Sequence, residues 1–239
     1  MERKDFLKGL GFFGLGAVAL PILGSCSNDD DTAATNTLAI GDCSTTPSET
    51  EGPFPTHSPS TLVTSDIRSD RTGVNLAVNI TVLNANANAA ALSGAIVDIW
   101  HCDKDGNYSE YGGTGMQATN YTSVHFLRGR QTTNADGSVT FTTIFPGWYN
   151  GRATHIHVHI YNASGSSILV TQIAFPEGTD SAVATVNASS ANGYTKGMSG
   201  YTYNAADNVF SDSAVCELGT ITGSIAEGYS LQSVINVSA

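Results

Sequence analysis

The sequence predicts an all-β fold: a sandwich of mostly antiparallel strands with long loops, of the immunoglobulin-like or prealbumin-like kind. Three observations predict it. Val74, Leu76, Val78, Ile80 and Val82 alternate with Asn75, Ala77, Asn79 and Thr81, the period of two that turns one face of a strand to a core. Short apolar runs are stopped at regular intervals by Gly, Asn and Asp. No stretch beyond residue 25 carries the apolar repeat of a long helix.

The elements follow in order. Arg3, Lys4 and Lys8 precede an apolar run from Gly9 to Leu23 that ends in Leu23-Gly24-Ser25-Cys26. A charged start, a short apolar stretch and small residues describe an export signal over residues 1–25, and the run is too short to span a bilayer. Leu-Gly-Ser-Cys resembles a bacterial lipobox, which implies acylation of Cys26 and an extracytoplasmic, lipid-anchored protein. The alternative is an ordinary cleaved signal. Arg3-Lys4-Asp5-Phe6-Leu7-Lys8 also resembles a twin-arginine signal with one arginine replaced.

Residues 26–46, including the acidic Asp29-Asp30-Asp31, read as a disordered tether, leaving 47–239 as one sandwich domain. Ala95–His101 is a strand stopped by the turn residues Asp103–Gly106. Asn134-Ala135-Asp136-Gly137 reads as a hairpin turn between Phe126–Thr133 and Ser138–Phe145. His155–Tyr161 and Ile168–Phe175 flank Ala163-Ser164-Gly165-Ser166 as a second hairpin. Segment 178–210 reads as long surface loop with a strand or helical turn inside, and Tyr229–Val237 as a last strand.

Charge narrows the partners. Residues 1–25 hold three of the 10 basic and two of the 21 acidic side chains, so the chain without them carries a net charge of −12. Such a surface repels phosphate backbones and argues against nucleic acid. Membrane contact is expected only through the lipid anchor. Besides Cys26 there are Cys43, Cys102 and Cys216; outside the cytoplasm one disulfide and one thiol are expected, with the pairing open.

The chemistry-bearing residues lie in two blocks. On the strand His155-Ile156-His157-Val158-His159-Ile160-Tyr161 the three histidines and Tyr161 share one face, while the aliphatic residues enter the core. Alternate histidines can grip one metal without identifying it. The competing reading is a polar, solvent-facing strand. Tyr108 follows a tight turn and Tyr149 follows Pro146-Gly147; alone, each reads as a boundary tyrosine. Asp103-x-Asp105-Gly106 has its glycine too early for a calcium loop. Should the two phenols and two imidazoles converge, the donor set suits ferric iron better than zinc or calcium.

Longer stretches carry a family resemblance. Glu49–Phe54, Ser65–Arg68, Gly94–His101, Phe126–Gly129, the Pro146–His157 block and Thr171-Gln172, in this order and spacing, resemble the intradiol ring-cleavage dioxygenases, the protocatechuate and catechol dioxygenase superfamily. The resemblance spans nearly all of residues 45–239. It implies one non-haem Fe(III) per chain, held by Tyr108, Tyr149, His155 and His157. It implies active-site roles for Arg152 and Gln172, with Tyr149 also accepting a substrate proton. Thr50–Phe54, with Gly52 and Pro53, would line the substrate entrance. The implied reaction cleaves a small aromatic diol with O2, between its hydroxyl-bearing carbons, to a muconate-type diacid.

Two departures qualify the resemblance. The link from Tyr149 to His155 is shorter than in the well-known soluble members, so a more open site is expected. The helical dimerisation element of the catechol enzymes is absent, so the oligomeric state stays open. Two other readings remain: a zinc or copper enzyme using His155, His157 and His159, and a non-catalytic, lipid-anchored binding module.

Overall fold

The computed structural model describes residues 43–239. The expected signal, the Cys26 acylation site and most of the tether lie outside the described residues. Among the described residues nine strands form two sheets packed face to face, an all-β sandwich as expected. In chain order they are β1 Asn75–Asn84, β2 Ala90–Ala91, β3 Ile96–Trp100, β4 Arg128–Thr132, β5 Ser138–Ile144, β6 His155–Tyr161, β7 Ser167–Ala174, β8 Thr220–Ser224 and β9 Gly228–Val237. One sheet runs β2-β1-β9-β8 with β5 also on β1; the other runs β4-β3-β6-β7. All pairs are antiparallel except β1 with β9.

The core follows from the period-two pattern. Leu76, Val78, Ile80 and Val82 of β1 face Val97, Ile99, Ile156, Val158 and Ile160 across the sandwich. Each buried aliphatic side chain contributes roughly 1.5–3 kcal/mol of transfer free energy. That is ample to hold β6 with its aliphatic face inward, which obliges its histidines to face the other way.

Three expectations need correction. The Asn134–Gly137 turn forms, with Gly137 N donating to Asn134 O at 3.0 Å. However, β4 and β5 belong to different sheets, so the turn is a corner of the sandwich and not a hairpin. Segment 178–210 forms the helical turn expected inside it but does not lie on the surface. It contains the helix α1, Ala182–Asn187, and sends Val183, Val186, Tyr194, Tyr201, Val209 and Phe210 into the core. The end assigned to the tether is bound: Thr46 N donates to Asn236 O at 2.9 Å, and Cys43 is disulfide-bonded to Cys216 with a Cα–Cα distance of 5.7 Å. Cys102 is the buried free thiol among the described residues. The β6–β7 hairpin and the last strand form as expected, while β8 had no clear signal in its polar sequence.

Candidate metal centre

β6 builds the centre of the site. Register places Trp100 and Gln172 beside His157 on the two flanking strands. The Trp100 ring stacks on the His157 imidazole at 4.9 Å between centroids. Gly52, at φ +67°, also approaches the ring: a Cβ there would come within 3.2 Å of His157 Cε1. The positive φ and the close approach together favour glycine there.

Tautomers follow from the backbone. His155 Nδ1 lies 2.7 Å from Ala153 O, and a carbonyl can only accept, so Nδ1 carries the proton. Burial, with Arg152 adding to it, pushes the His155 pKa down to about 3. The imidazole is therefore neutral, and Nε2 presents a lone pair. Burial and the neighbouring His155 hold His157 well below its ordinary value too.

Tyr108 reaches the same point from the loop after β3. Asp103 Oδ1 accepts from Asp105 N at 3.0 Å and Asn107 N at 2.9 Å, closing the turn. The buried Gln117 clamps Tyr108 in both directions: its Oε1 accepts from Tyr108 N at 2.6 Å, and its Nε2 donates to Tyr108 O at 2.8 Å. Phe54 stacks on the phenol ring at 4.8 Å. The second tyrosine loop presses on the first, for a Cβ on Gly147 would lie 2.4 Å from Lys104 O. This contact sets Tyr149 beside Tyr108, with ring centroids 6.1 Å apart.

Three of the four expected donors converge. His155 Nε2 lies 3.1 Å from Tyr108 Oη and 3.1 Å from His157 Nε2. One lone pair cannot serve two neighbours fully. A cation between the three atoms would take a lone pair from each, so the residues present fit a metal. Burial also raises the Tyr108 pKa well above its ordinary value. A strongly charged cation would offset that burial cost and favour the phenolate. Tyr149 stands at the cavity with its hydroxyl turned outward, donating to Met116 O at 3.2 Å.

His159 takes no part in this cluster. Its Nε2 lies 2.8 Å from Ser167 Oγ, and its Nδ1 lies 2.9 Å from Tyr161 Oη and 3.1 Å from Glu51 Oε1. The reading of the strand as solvent-facing does not hold for it, since it is half-buried and engaged. Among the described residues, no three His, Cys, Asp or Glu side chains are grouped to hold a metal. The three-histidine arrangement is therefore not formed.

A cavity of about 440 Å³ opens on the cluster, lined by Thr50, Gly52, Pro53, Tyr149, Arg152 and Asn208 among others. Exposed Asn150 and Gly151 form part of its rim, in keeping with the short loop before β6. Among the described residues, Arg152 is the one charged side chain lining it. Its Nε donates to Asp207 Oδ1 at 3.0 Å and Oδ2 at 2.9 Å, and its Nη2 to Gln172 Oε1 at 2.7 Å. Gln172 Nε2 in turn donates to Thr50 O at 2.9 Å. Burial opposes ionisation of Asp207, yet its bonds to Arg152 and two backbone amides hold its pKa below the ordinary carboxylate value.

Sequence reasoning missed three supports of the site. Asp207 and Gln117 carried no motif. The third is Arg128, buried and bonded to Ser109 O at 2.7 Å and Phe54 O at 3.0 Å; it ties the entrance segment to the Tyr108 loop. Phe126-Leu127-Arg128-Gly129 was a visible signal for it.

Comparisons with known proteins point one way. A family model described as "Dioxygenase" matches residues 50–198. The solved intradiol ring-cleavage dioxygenase of Tetranychus urticae is similar, at 30% identity and a TM-score of 0.70 over 82% of this chain and 95% of that one. The dioxygenase domain of a carbohydrate-binding fusion protein from Streptomyces sp. SirexAA-E is 27% identical, with a TM-score of 0.56 over 80% and 97% of the two chains. A chlorocatechol 1,2-dioxygenase of Rhodococcus opacus is 28% identical over 166 residues, 59% of this chain, and the match spans 60% of that relative's length.

Proposed function

Because the chain belongs to the intradiol ring-cleavage dioxygenases, we propose that it is a non-haem ferric enzyme that opens small catechol-type rings with O2. Tyr108, Tyr149, His155 and His157 would hold one iron. The observation that carries this reading is the meeting of Tyr108 Oη and both imidazole Nε2 atoms at 3.1 Å spacings around a single lone pair. When bound, ferric iron would supply the Lewis acidity that makes a catechol reactive toward dioxygen. In the overall reaction the carbon–carbon bond between the two oxygen-bearing carbons breaks. Both atoms of O2 enter the product, a muconate-type diacid.

The chain's own residues would do the rest. Phe54 and Trp100 wall the centre against water by stacking on Tyr108 and His157. Tyr149 Oη would take a substrate proton, for the resulting phenol has an acceptor waiting in Met116 O at 3.2 Å. Arg152, through its planar guanidinium, would stabilise negative charge growing on the ring oxygens. Gln172 holds its Nη2 from the neighbouring strand.

The test is metal analysis with a visible spectrum. Phenolate bound to ferric iron is expected to give a charge-transfer band, and Tyr108→Phe to bleach or shift it. A colourless zinc protein, or a Tyr108→Phe spectrum identical to wild type, overturns the assignment. We further propose export and anchoring at Cys26. The Cys43–Cys216 disulfide supports an oxidising compartment. Cys26→Ser is expected to move the protein from the membrane to the soluble fraction, and an unchanged distribution overturns the anchor.

A further inference from the structure

We propose that Asp207 is the positioning residue for Arg152: it locks the guanidinium so that one edge faces the bound substrate. This rests on the reading of the cavity as an intradiol site. Arg152 is planar, and its fork has two usable edges. The side-on edge is consumed by protein, with Nε on both Asp207 oxygens and Nη2 on Gln172 Oε1. Among the described residues Nη1 has no hydrogen-bond partner, so the end-on edge is left for the cavity that Arg152 lines.

Asp207 is built for this task. Its side chain is fully buried while that of Arg152 is 11% exposed at the cavity. Each carboxylate oxygen is anchored by a backbone amide: Oδ2 accepts from Ala153 N at 2.6 Å and Oδ1 from Val209 N at 2.8 Å. Two fixed oxygens straddling one N–H leave the guanidinium little rotation about its Cδ–Nε bond. The same turn carries Phe210, whose ring lies 5.6 Å from the Arg152 guanidinium carbon and 6.4 Å, between centroids, from His155. Residues 207–210 thus form one wall that registers the arginine against the histidine strand. A carboxylate needed only for folding would be satisfied by the two amides. Its forked grip on Nε points to control of orientation.

The experiment uses the iron-loaded full chain and reports kcat per bound iron, KM, the visible band and the thermal midpoint. Asp207→Asn keeps the size but loses the charge and one acceptor. It is expected to lower kcat about 100-fold, the scale of a misplaced catalytic group. KM should change less than about threefold, with the band unmoved. On an Arg152→Ala background it should cost less than about twofold more, since the group it positions is gone. Where the Asn variant does not fold, Asp207→Glu, which keeps the charge and shifts the carboxylate, should show the same split. A kcat per iron within about twofold of wild type in whichever variant folds overturns the proposal. So does a full additional loss on the Arg152→Ala background. Arg152→Ala as active as wild type overturns the functional reading beneath it.

Discussion

At Gly52 a single hydrogen atom decides the position of a ring. The φ of +67° and the 3.2 Å approach to His157 Cε1 leave no room for a methyl group without strain of about 1–2 kcal/mol. Gly52→Ala is expected to shift His157 and weaken iron retention, measured as faster loss of the visible band to a competing chelator; unchanged loss kinetics sink the point. Glu217 tests burial by itself. Burial, with Glu49 and Asp212 nearby, raises its pKa from 4.5 to about 8, and its Oε2 has no partner among the described residues. A folded-state pKa above the unfolded one means the group's contribution is complete below pH 4.5 and is lost as pH rises toward 8. Glu217→Gln should therefore raise the thermal midpoint at pH 8 by about 2–4 °C per kcal/mol relieved, with little gain at pH 4.5; an equal effect at both refutes it. His155 and His157 were legible because they alternate on one short strand, whereas Tyr108, Tyr149, Arg152 and Gln172 were legible only through the ordered blocks of the family resemblance. Asp207 was not. Acids are common, and this one lies 55 positions from the arginine it holds.

β6 shows how an element converts pattern into a site. Ile156, Val158 and Ile160 are fully buried, and the period of two then forces His155 and His157 together on the opposite face. Ile156→Ala is expected to cost about 2–5 kcal/mol in urea unfolding and to lower iron affinity in step, because the core face sets the ligand face. A destabilised variant with unchanged affinity would separate the two. The Asn134–Gly137 turn teaches the reverse lesson. Asp-Gly chemistry specifies a tight reversal, but the partner of each strand is chosen by distant residues: β5 takes β1, from Asn75 to Thr81, and β4 takes β3. Likewise the polar look of 178–210 concealed apolar residues spaced too irregularly to show a period.

Across the molecule, the Cys43–Cys216 bond joins points 173 residues apart and so staples the start of the described chain to the turn before β8. Closing so long a loop stabilises the fold by about 2–5 kcal/mol. Reduction, or Cys43→Ser with Cys216→Ser, is expected to lower the thermal midpoint without moving the visible band, since neither cysteine touches the metal cluster. A lost band would tie the disulfide to the site. By itself the sequence determined the all-β class, the strand of alternating histidines and the family resemblance, because each is written in short-range periodicity or in fixed motif spacing. Only the tertiary structure decided which sheet each strand joins, which cysteines pair, that Tyr149 turns its hydroxyl to Met116, and that Asp207 grips Arg152. Those outcomes depend on where distant segments meet once the core closes, and no local pattern encodes a meeting place.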